Sequence, residues 1–396
     1  MAAIFGLNCQ TNNTVTLLQD LGGANNSVLF SPFYLTLSMI TAYAFAKGAT
    51  FMEVLSLMLC IPDDQKFSSY NSNQGTFVNS FANVEKKYIS SDFEFFAQLG
   101  LPLSYNLSQV LKEGGTKLHR LDFKSPKSVE SINKMIAKIT NQSITQIVST
   151  LNPDTASVNV GEITVEGTWK VKFNEPKNGT FYVNATTKKT IPMLQQTSGE
   201  FGYLETEQFR ALRLPLVVNS TLAKNCTMDT NRTKRKHKCP KNAALPNLHL
   251  LVFLPQKRFG LPKALEHLQG STIRKLMETK NSKIDLTLPS FDLEHATTFD
   301  HQLEQFGVKK ILDPKEADIP DMFSKGVYSG GFTQKIHFKI NSTGSEMVLG
   351  IADQMILQKR SKRSAYKKIK VDEPFVYMVC ANSANDYALL YAGIFH

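Results

Sequence analysis

The sequence predicts one large mixed α+β domain with an exposed loop near its C-terminal end. Three observations lead there. Residues 345–358 alternate as a strand with one buried face, with no proline among them. That strand runs directly into a cluster of bases. No Pro/Gly/Ser linker, low-complexity tract or internal repeat divides the 396 residues, although length alone would suggest two or three domains. The hydrophobic fraction, 42%, is ordinary for a globular protein with a sizeable core.

The strand has two unlike sides. Ser345, Met347, Leu349, Ile351, Asp353, Met355 and Leu357 share one side, which is apolar except at Ser345 and Asp353. Glu346, Val348, Gly350, Ala352, Gln354, Ile356 and Gln358 share the more polar other side. Beyond them come Lys359, Arg360, Lys362, Arg363, Lys367, Lys368 and Lys370, seven bases in twelve residues without an acid. Like charges at that density repel and solvate, so the stretch is expected as an exposed loop.

At these residues the chain resembles the serpin family. Ser342-Thr343-Gly344-Ser345-Glu346 is similar to the family's loop hinge, a short acidic and Gly-containing segment followed by small residues. Ile369-Lys370-Val371-Asp372-Glu373-Pro374-Phe375 resembles its Phe-x-Val-Asp-x-Pro-Phe segment, and Leu389-Leu390-Tyr391-Ala392-Gly393 its closing strand. Earlier pieces follow in family order. They include Asn26 to Pro32, Ala46 to Thr50, Gly167-Thr168-Trp169 with Phe173, Val183 to Met193, Leu288-Pro289-Ser290-Phe291 and Phe306-Gly307-Val308. The resemblance implies a single serpin-type domain over 1–396: three β-sheets, surrounding helices and a reactive loop at about 344–368. It also implies a monomer.

The family connects the strand ending near Leu214-Pro215 to the next, Leu248 to Pro255, by a short turn. Here an insert of about 217–247 intervenes. It holds a second basic cluster, Arg232, Lys234, Arg235, Lys236 and Lys238, and contributes to a net charge of +11. A sulfated glycosaminoglycan or similar polyanion would bind such a cluster by charge steering and counterion release; the bland alternative is a solvated loop. Nucleic acid is not expected, because no aromatic residue interleaves the cluster and no nucleic-acid motif occurs.

Cysteine usage gives no obvious framework. Cys60 and Cys380 sit in apolar runs and read as buried core thiols. Cys226 and Cys239 flank the basic cluster, so a local disulfide is one reading of them. His237 beside Cys239 lacks metal-ligand spacing, and no metal or cofactor is expected. Ten N-x-[ST] sequons, at Asn12, Asn25, Asn106, Asn141, Asn178, Asn184, Asn219, Asn225, Asn231 and Asn341, favour an extracellular glycoprotein, with a cytoplasmic setting as the alternative. Asn12 and Asn25 are expected in or beside buried elements. The first residues show no basic region and no adequate apolar stretch, so they do not read as a secretory leader. No apolar run approaches transmembrane length.

The chain is not expected to be an enzyme. No G-x-S-x-G elbow, phosphate-binding loop or H-E-x-x-H is present. The resemblance instead implies inhibition of a serine-type endopeptidase. The protease cuts the loop and forms an acyl-enzyme, and the freed hinge inserts into the central sheet. Family spacing from Gly344 places the cut bond near Gln358–Lys359, and counting back from Pro374 places it nearer Arg360 to Arg363. Gln358, Lys359, Arg360, Lys362 and Arg363 are therefore the candidates, with Lys359 and Arg360 first. Basic residues there suit trypsin-like proteases. The hinge comprises Gly344, Ser345, Glu346, Met347, Val348, Leu349 and Gly350. Met347, Val348 and Leu349 are bulkier than the family's small residues, and Asn341 puts a sequon beside them. Tyr34, Gln334 and Gly161 stand where the family usually has Ser, His and Asn. These departures keep a second reading open: a non-inhibitory binding protein with a polyanion patch and a processed loop.

Overall fold

A computed structural model describes residues 2–22, 26–60, 90–113, 116–165, 167–218, 247–345, 366–383 and 386–396. The chain begins with helix α1 (Ala2–Leu21), strand β1 (Val28–Phe30) and helices α2 (Pro32–Phe45) and α3 (Gly48–Leu59). Strand β2 (Ser90–Gln98), helix α4 (Tyr105–Glu113), strand β3 (Lys117–Leu121), helix α5 (Lys127–Ile139) and strand β4 (Ser157–Thr164) follow. Next come β5 (Gly167–Trp169), β6 (Lys177–Tyr182), β7 (Lys188–Glu205), β8 (Phe209–Val218) and β9 (Asn247–Pro255). Helices α6 (Leu261–Leu265) and α7 (Gly270–Glu278) lead to β10 (Asn281–Pro289) and β11 (Phe291–Thr298). The last elements are α8 (Asp300–Gln305), β12 (Thr333–Ile340), β13 (Gly344–Ser345), β14 (Lys367–Lys370), β15 (Phe375–Ser383) and β16 (Asp386–Phe395).

Local chemistry accounts for several boundaries. Ser31 caps α2, its Oγ accepting from Tyr34 N at 3.1 Å, and Pro32 fills the first helical position. Ser104 caps α4 in the same way through Leu107 N. Helix α5 carries Glu130 in its first turn and Lys138 in its last, both favourable to the helix dipole. It ends where Asn141 and Gln142 take left-handed φ values of 48° and 67°.

Three sheets can be traced. One runs β1-β16-β15-β9-β8. A second, β6-β7-β10-β14, joins the first where β7 pairs with β8 at 202–205. The third is central and comes in two parts, β3-β2-β4 and β12-β11. Strands β9, β15 and β16 read as nearly continuous apolar runs because both of their faces are covered; Leu250 through Leu254 and Phe375 through Ala381 are all buried. Gly393 permits the close crossing of β1, since a Cβ there would lie 2.2 Å from Val28 O.

Most buried side chains form one large core, with Phe291 packed against Phe338, Phe375, Tyr377 and Phe395. A second, smaller cluster of Phe96, Phe123, Ile132, Ile136 and Val160 lies between α5 and one face of β2 and β4. The three-stranded part of the central sheet thus has a core of its own on that face.

One cysteine expectation is corrected. Cys60 is exposed and is joined to the buried Cys9, with Cα atoms 5.4 Å apart. The apolar run preceding it belongs to α3, whose last residue gives way to Cys60 in a left-handed turn (φ 50°) that directs it toward α1. Cys380 is the buried thiol anticipated and is in no disulfide among the described residues. Cys226 and Cys239 lie outside the described residues. The Cys9–Cys60 bond closes a loop 51 residues apart in sequence. Replacing both with serine is expected to lower stability by about 2–4 kcal/mol, read as a lower urea midpoint.

Candidate functional site

The site is a slot in the central sheet. Strands β4 and β12, eight residues each, face one another as the inner edges of the two parts. Among the described residues they exchange no ladder bonds. At one end the gap is bridged by β5 and β13: Gly344 pairs with Thr168, and Ser345 pairs with both Gly167 and Ile340. The expected hinge therefore begins as a strand lodged between the two edges.

Trp169 grips this joint twice. Its backbone N donates to Thr343 O at 3.0 Å, and its indole Nε1 donates to Asn341 O at 2.7 Å. Asn341 Oδ1 accepts from Thr343 N at 2.9 Å and from Thr343 Oγ1 at 2.6 Å, folding residues 341–343 into a tight Asx turn. Ser290 Oγ donates to Ile340 O at 2.8 Å and fixes the end of β12. The chain thus reverses between β12 and β13 on a hydrogen-bonded turn.

The floor of the slot is made by the start of α2. Gln334 of β12 is buried, and its amide meets the Ser31 peptide at two points: Oε1 accepts from Ser31 N at 2.8 Å, and Nε2 donates to Ser31 O at 3.0 Å. Ser31 Oγ donates onward to Leu390 O at 2.7 Å. Three residues on, Tyr34 stacks on Phe93 of β2 with ring centroids 6.4 Å apart and planes 17° off parallel. Phe93 lies over Gly161 of β4, its cross-strand partner; a Cβ on residue 161 would meet the ring at 2.2 Å. Tyr34, Gln334 and Gly161, singled out in the sequence, are thereby brought to one place. Phe93 was not, because Phe93 and Phe95 simply read as neighbours on one strand face.

The exposed loop expected through Lys370 ends sooner: Lys367 to Lys370 form β14, parallel to β10 from Lys367 opposite Ile284, with Ile369 buried between exposed lysines. Lys367 Nζ donates to Glu205 Oε2 at 2.6 Å and stands 4.0 Å from the centre of the Tyr203 ring. Hydrogen bonds from Lys367, Tyr203 and Gln256 hold the Glu205 carboxyl down to about 2. Beyond β14, Asp372 accepts from Arg258 at 3.3 Å and from Lys370 at 3.0 Å.

The basic insert leaves from beside the joint, since Val218, the last residue of β8, pairs with Gly167. Arg232, Lys234, Arg235, Lys236 and Lys238 lie outside the described residues, as do Glu346, Met347, Val348, Leu349 and Gly350 of the hinge. The bond candidates Gln358, Lys359, Arg360, Lys362 and Arg363 lie outside them too. Among the sequons, Asn106, Asn141, Asn178 and Asn184 are exposed, and Asn341 is half-buried. Asn12 is itself exposed but lies on α1 beside the buried Gln10, Thr11 and Thr14, while Asn25, Asn219, Asn225 and Asn231 lie outside the described residues. Among the described residues no group of three or more His, Cys, Asp or Glu side chains is placed to hold a metal ion, and no helix is long and apolar enough to cross a membrane.

Behind the joint, His249 of β9 is buried opposite Pro215 and Cys380. Burial, then Arg213 and Lys170, lower its imidazole to about 4. The unfolded imidazole takes up a proton near 6.5, so the stability this residue contributes is complete above that pH and fades as pH falls to 4. The expected loss across that window is about 3 kcal/mol, measurable as a urea-midpoint slope that His249→Gln flattens.

The family profile described as Serpin (serine protease inhibitor) matches residues 9–394. Serpin B3 of Homo sapiens is 24% identical over 93% of this chain and 93% of its own length. Among solved structures, mouse protein-Z dependent protease inhibitor superposes with a TM-score of 0.75 at 17% identity, covering 99% of this chain and 97% of that one. Human thyroxine-binding globulin complexed with thyroxine superposes with a TM-score of 0.76 at 15% identity, covering 100% and 98%. At these identities the structural likeness concerns the fold.

Proposed function

The chain belongs to the serpin family, and on that premise we propose that it is a suicide-substrate inhibitor of trypsin-like serine proteases. One observation carries the reading: Ser345 already pairs on both sides, and Gly344 on one, at the mouth of a slot whose edges are otherwise unpaired among the described residues. Extending their register places residue 351 six positions along, opposite Gln334 and Gly161. Met347, Leu349 and Ile351 would then face the core, and Asp353 would fall just past the Thr333 end of β12. A proline-free segment suits this, because each residue of a central strand must offer its N–H. The basic residues from Lys359 onward supply side chains that fit an acidic specificity pocket.

The polyanion-binding role of Arg232, Lys234, Arg235, Lys236 and Lys238 is proposed on charge alone. An extracellular setting draws support from the Cys9–Cys60 bond, since disulfides persist in oxidising compartments. Exposed sequons such as Asn184, whose Oδ1 accepts from Thr186 Oγ1 at 3.0 Å in a turn between β6 and β7, agree with it. The second reading, a non-inhibitory binding protein, is favoured by the bulk of Met347, Val348 and Leu349, which would slow the first steps of insertion and let deacylation win.

Incubation with trypsin, followed by a denaturing gel and mass analysis of the released fragment, tests the proposal. A complex that survives denaturation supports trapping, and the fragment's first residue identifies the bond cut. Clean cleavage without a complex would overturn inhibition of this protease class and leave the second reading.

A further inference from the structure

The Cys9–Cys60 bond has two unlike ends. Cys9, on α1, is 1% exposed, whereas Cys60 faces solvent just past the end of α3. An incoming thiolate must reach one sulfur of a disulfide from outside, so in the folded chain the attack falls on Cys60. Cys60 also sits at φ 50° and ψ 40°, the left-handed region in which a residue with a side chain is strained. Opening the bond lets it leave that region.

The buried end is furnished for the departure of its sulfur. Asn13, one turn beyond Cys9 on α1, reaches both sulfurs. Its Nδ2 lies 3.6 Å from Cys9 Sγ, and its Oδ1 lies 3.7 Å from Cys60 Sγ. Nδ2 also donates to Leu57 O at 3.0 Å. Leu57 O stands 3.0 Å from Cys9 Sγ as well, placed to accept from a Cys9 thiol. A buried thiolate without partners is costly. Here an amide N–H meets the sulfur as it gains charge, and a carbonyl meets it once it is protonated. Helix α1 has other holds on the fold: Gln10 Oε1 accepts from Leu389 N at 3.1 Å, and Gln19 Nε2 donates to Leu265 O at 2.8 Å.

We propose that Cys60 is a modification site for small thiols of the glutathione class, reached by exchange through the Cys9–Cys60 bond. The thiolate attacks Cys60 Sγ, and the bond to Cys9 breaks as the new sulfur–sulfur bond forms. The incoming sulfur is oxidised; the electron pair of the broken bond leaves with Cys9, which is reduced. Cys9 then takes a proton from water and donates to Leu57 O. The product carries the small thiol on the surface past α3, and α1 is no longer tied there. The proposal is independent of the inhibitory reading.

The test uses the full chain with the bond intact, incubated with reduced glutathione near pH 8, where part of the thiol is ionised. Samples are quenched in acid at successive times, and free thiols are blocked with N-ethylmaleimide in urea. Trypsin cuts after Lys47 and puts Cys9 and Cys60 on separate peptides for mass analysis. Glutathione is expected on Cys60, with Cys9 recovered as a thiol and the fully buried Cys380 unmodified. Glutathione on Cys9 as often as on Cys60 would overturn the proposal. So would a bond that opens only in urea, or reduction to two thiols with no adduct at the earliest times. Glutathione on Cys380 as well would mean reaction through unfolding and would overturn it too. Asn13→Asp keeps the shape of the side chain but sets a negative charge beside the departing sulfur, so adduct formation is expected to slow at least about fivefold. An unchanged rate in that variant would overturn the exit route given to Cys9.

Discussion

Ser345→Arg is expected to abolish the covalent complex with trypsin while leaving cleavage of the loop intact. Ser345 pairs with Ile340, which is fully buried, and directly opposite residues on paired strands share a face. The residue at 345 therefore turns toward the core once the strand is seated. A guanidinium there has no counter-charge in the pairing described, and burying it unpaired costs several kcal/mol. Each 1.4 kcal/mol of barrier is about a tenfold slower step, so insertion slows by roughly a hundredfold or more and hydrolysis overtakes it. The readout is the yield of denaturation-resistant complex per loop cleaved. An unchanged yield would remove the hinge from the mechanism.

Cleavage of the loop is expected to raise the melting temperature by roughly 15–20 °C. Roughly ten new ladder bonds at about 1 kcal/mol each, with burial of Met347, Leu349 and Ile351 at roughly 1.5–3 kcal/mol each, amount to about 15 kcal/mol. Unfolding entropy of about 2.1 cal/mol/K per residue converts that gain into the stated shift for a chain of 396 residues. Scanning calorimetry before and after cleavage within 358–363 provides the measurement. A cleaved chain that melts where the intact one does would favour the binding-protein reading, because the intact state would then not be held kinetically short of a deeper minimum.

The fold was legible because its signals are ordered and local. The apolar runs of β9, β15 and β16 are buried on both faces, and the hinge motif followed by a basic run fits few architectures. What escaped the sequence were contacts between distant segments. Cys9 lies on α1 and Cys60 just past the end of α3, and an apolar run ahead of Cys60 conceals that the chain turns outward there. Glu94 reads as a charge inside an aromatic strand, yet it is buried because Lys117 and His119 of β3 reach it at 3.1 and 2.6 Å. Tyr34, Gly161 and Gln334 could be noted as departures from a pattern. Their common neighbourhood needed Phe93, whose place over Gly161 depends on the pairing of β2 with β4. Likewise, Tyr203 and Glu205 become an anchor only once β14 brings Lys367 beside them.

The grip of Trp169 on the turn at Asn341–Thr343 has an optical consequence. It is the chain's one tryptophan, so all indole emission originates at the joint where the hinge meets the sheet. Any event that lengthens β13 or withdraws it changes the polarity around that single fluorophore, and no other indole dilutes the signal. The protein therefore carries an unlabelled reporter of its own hinge, and stopped-flow emission can time the joint's rearrangement separately from the cutting of the loop.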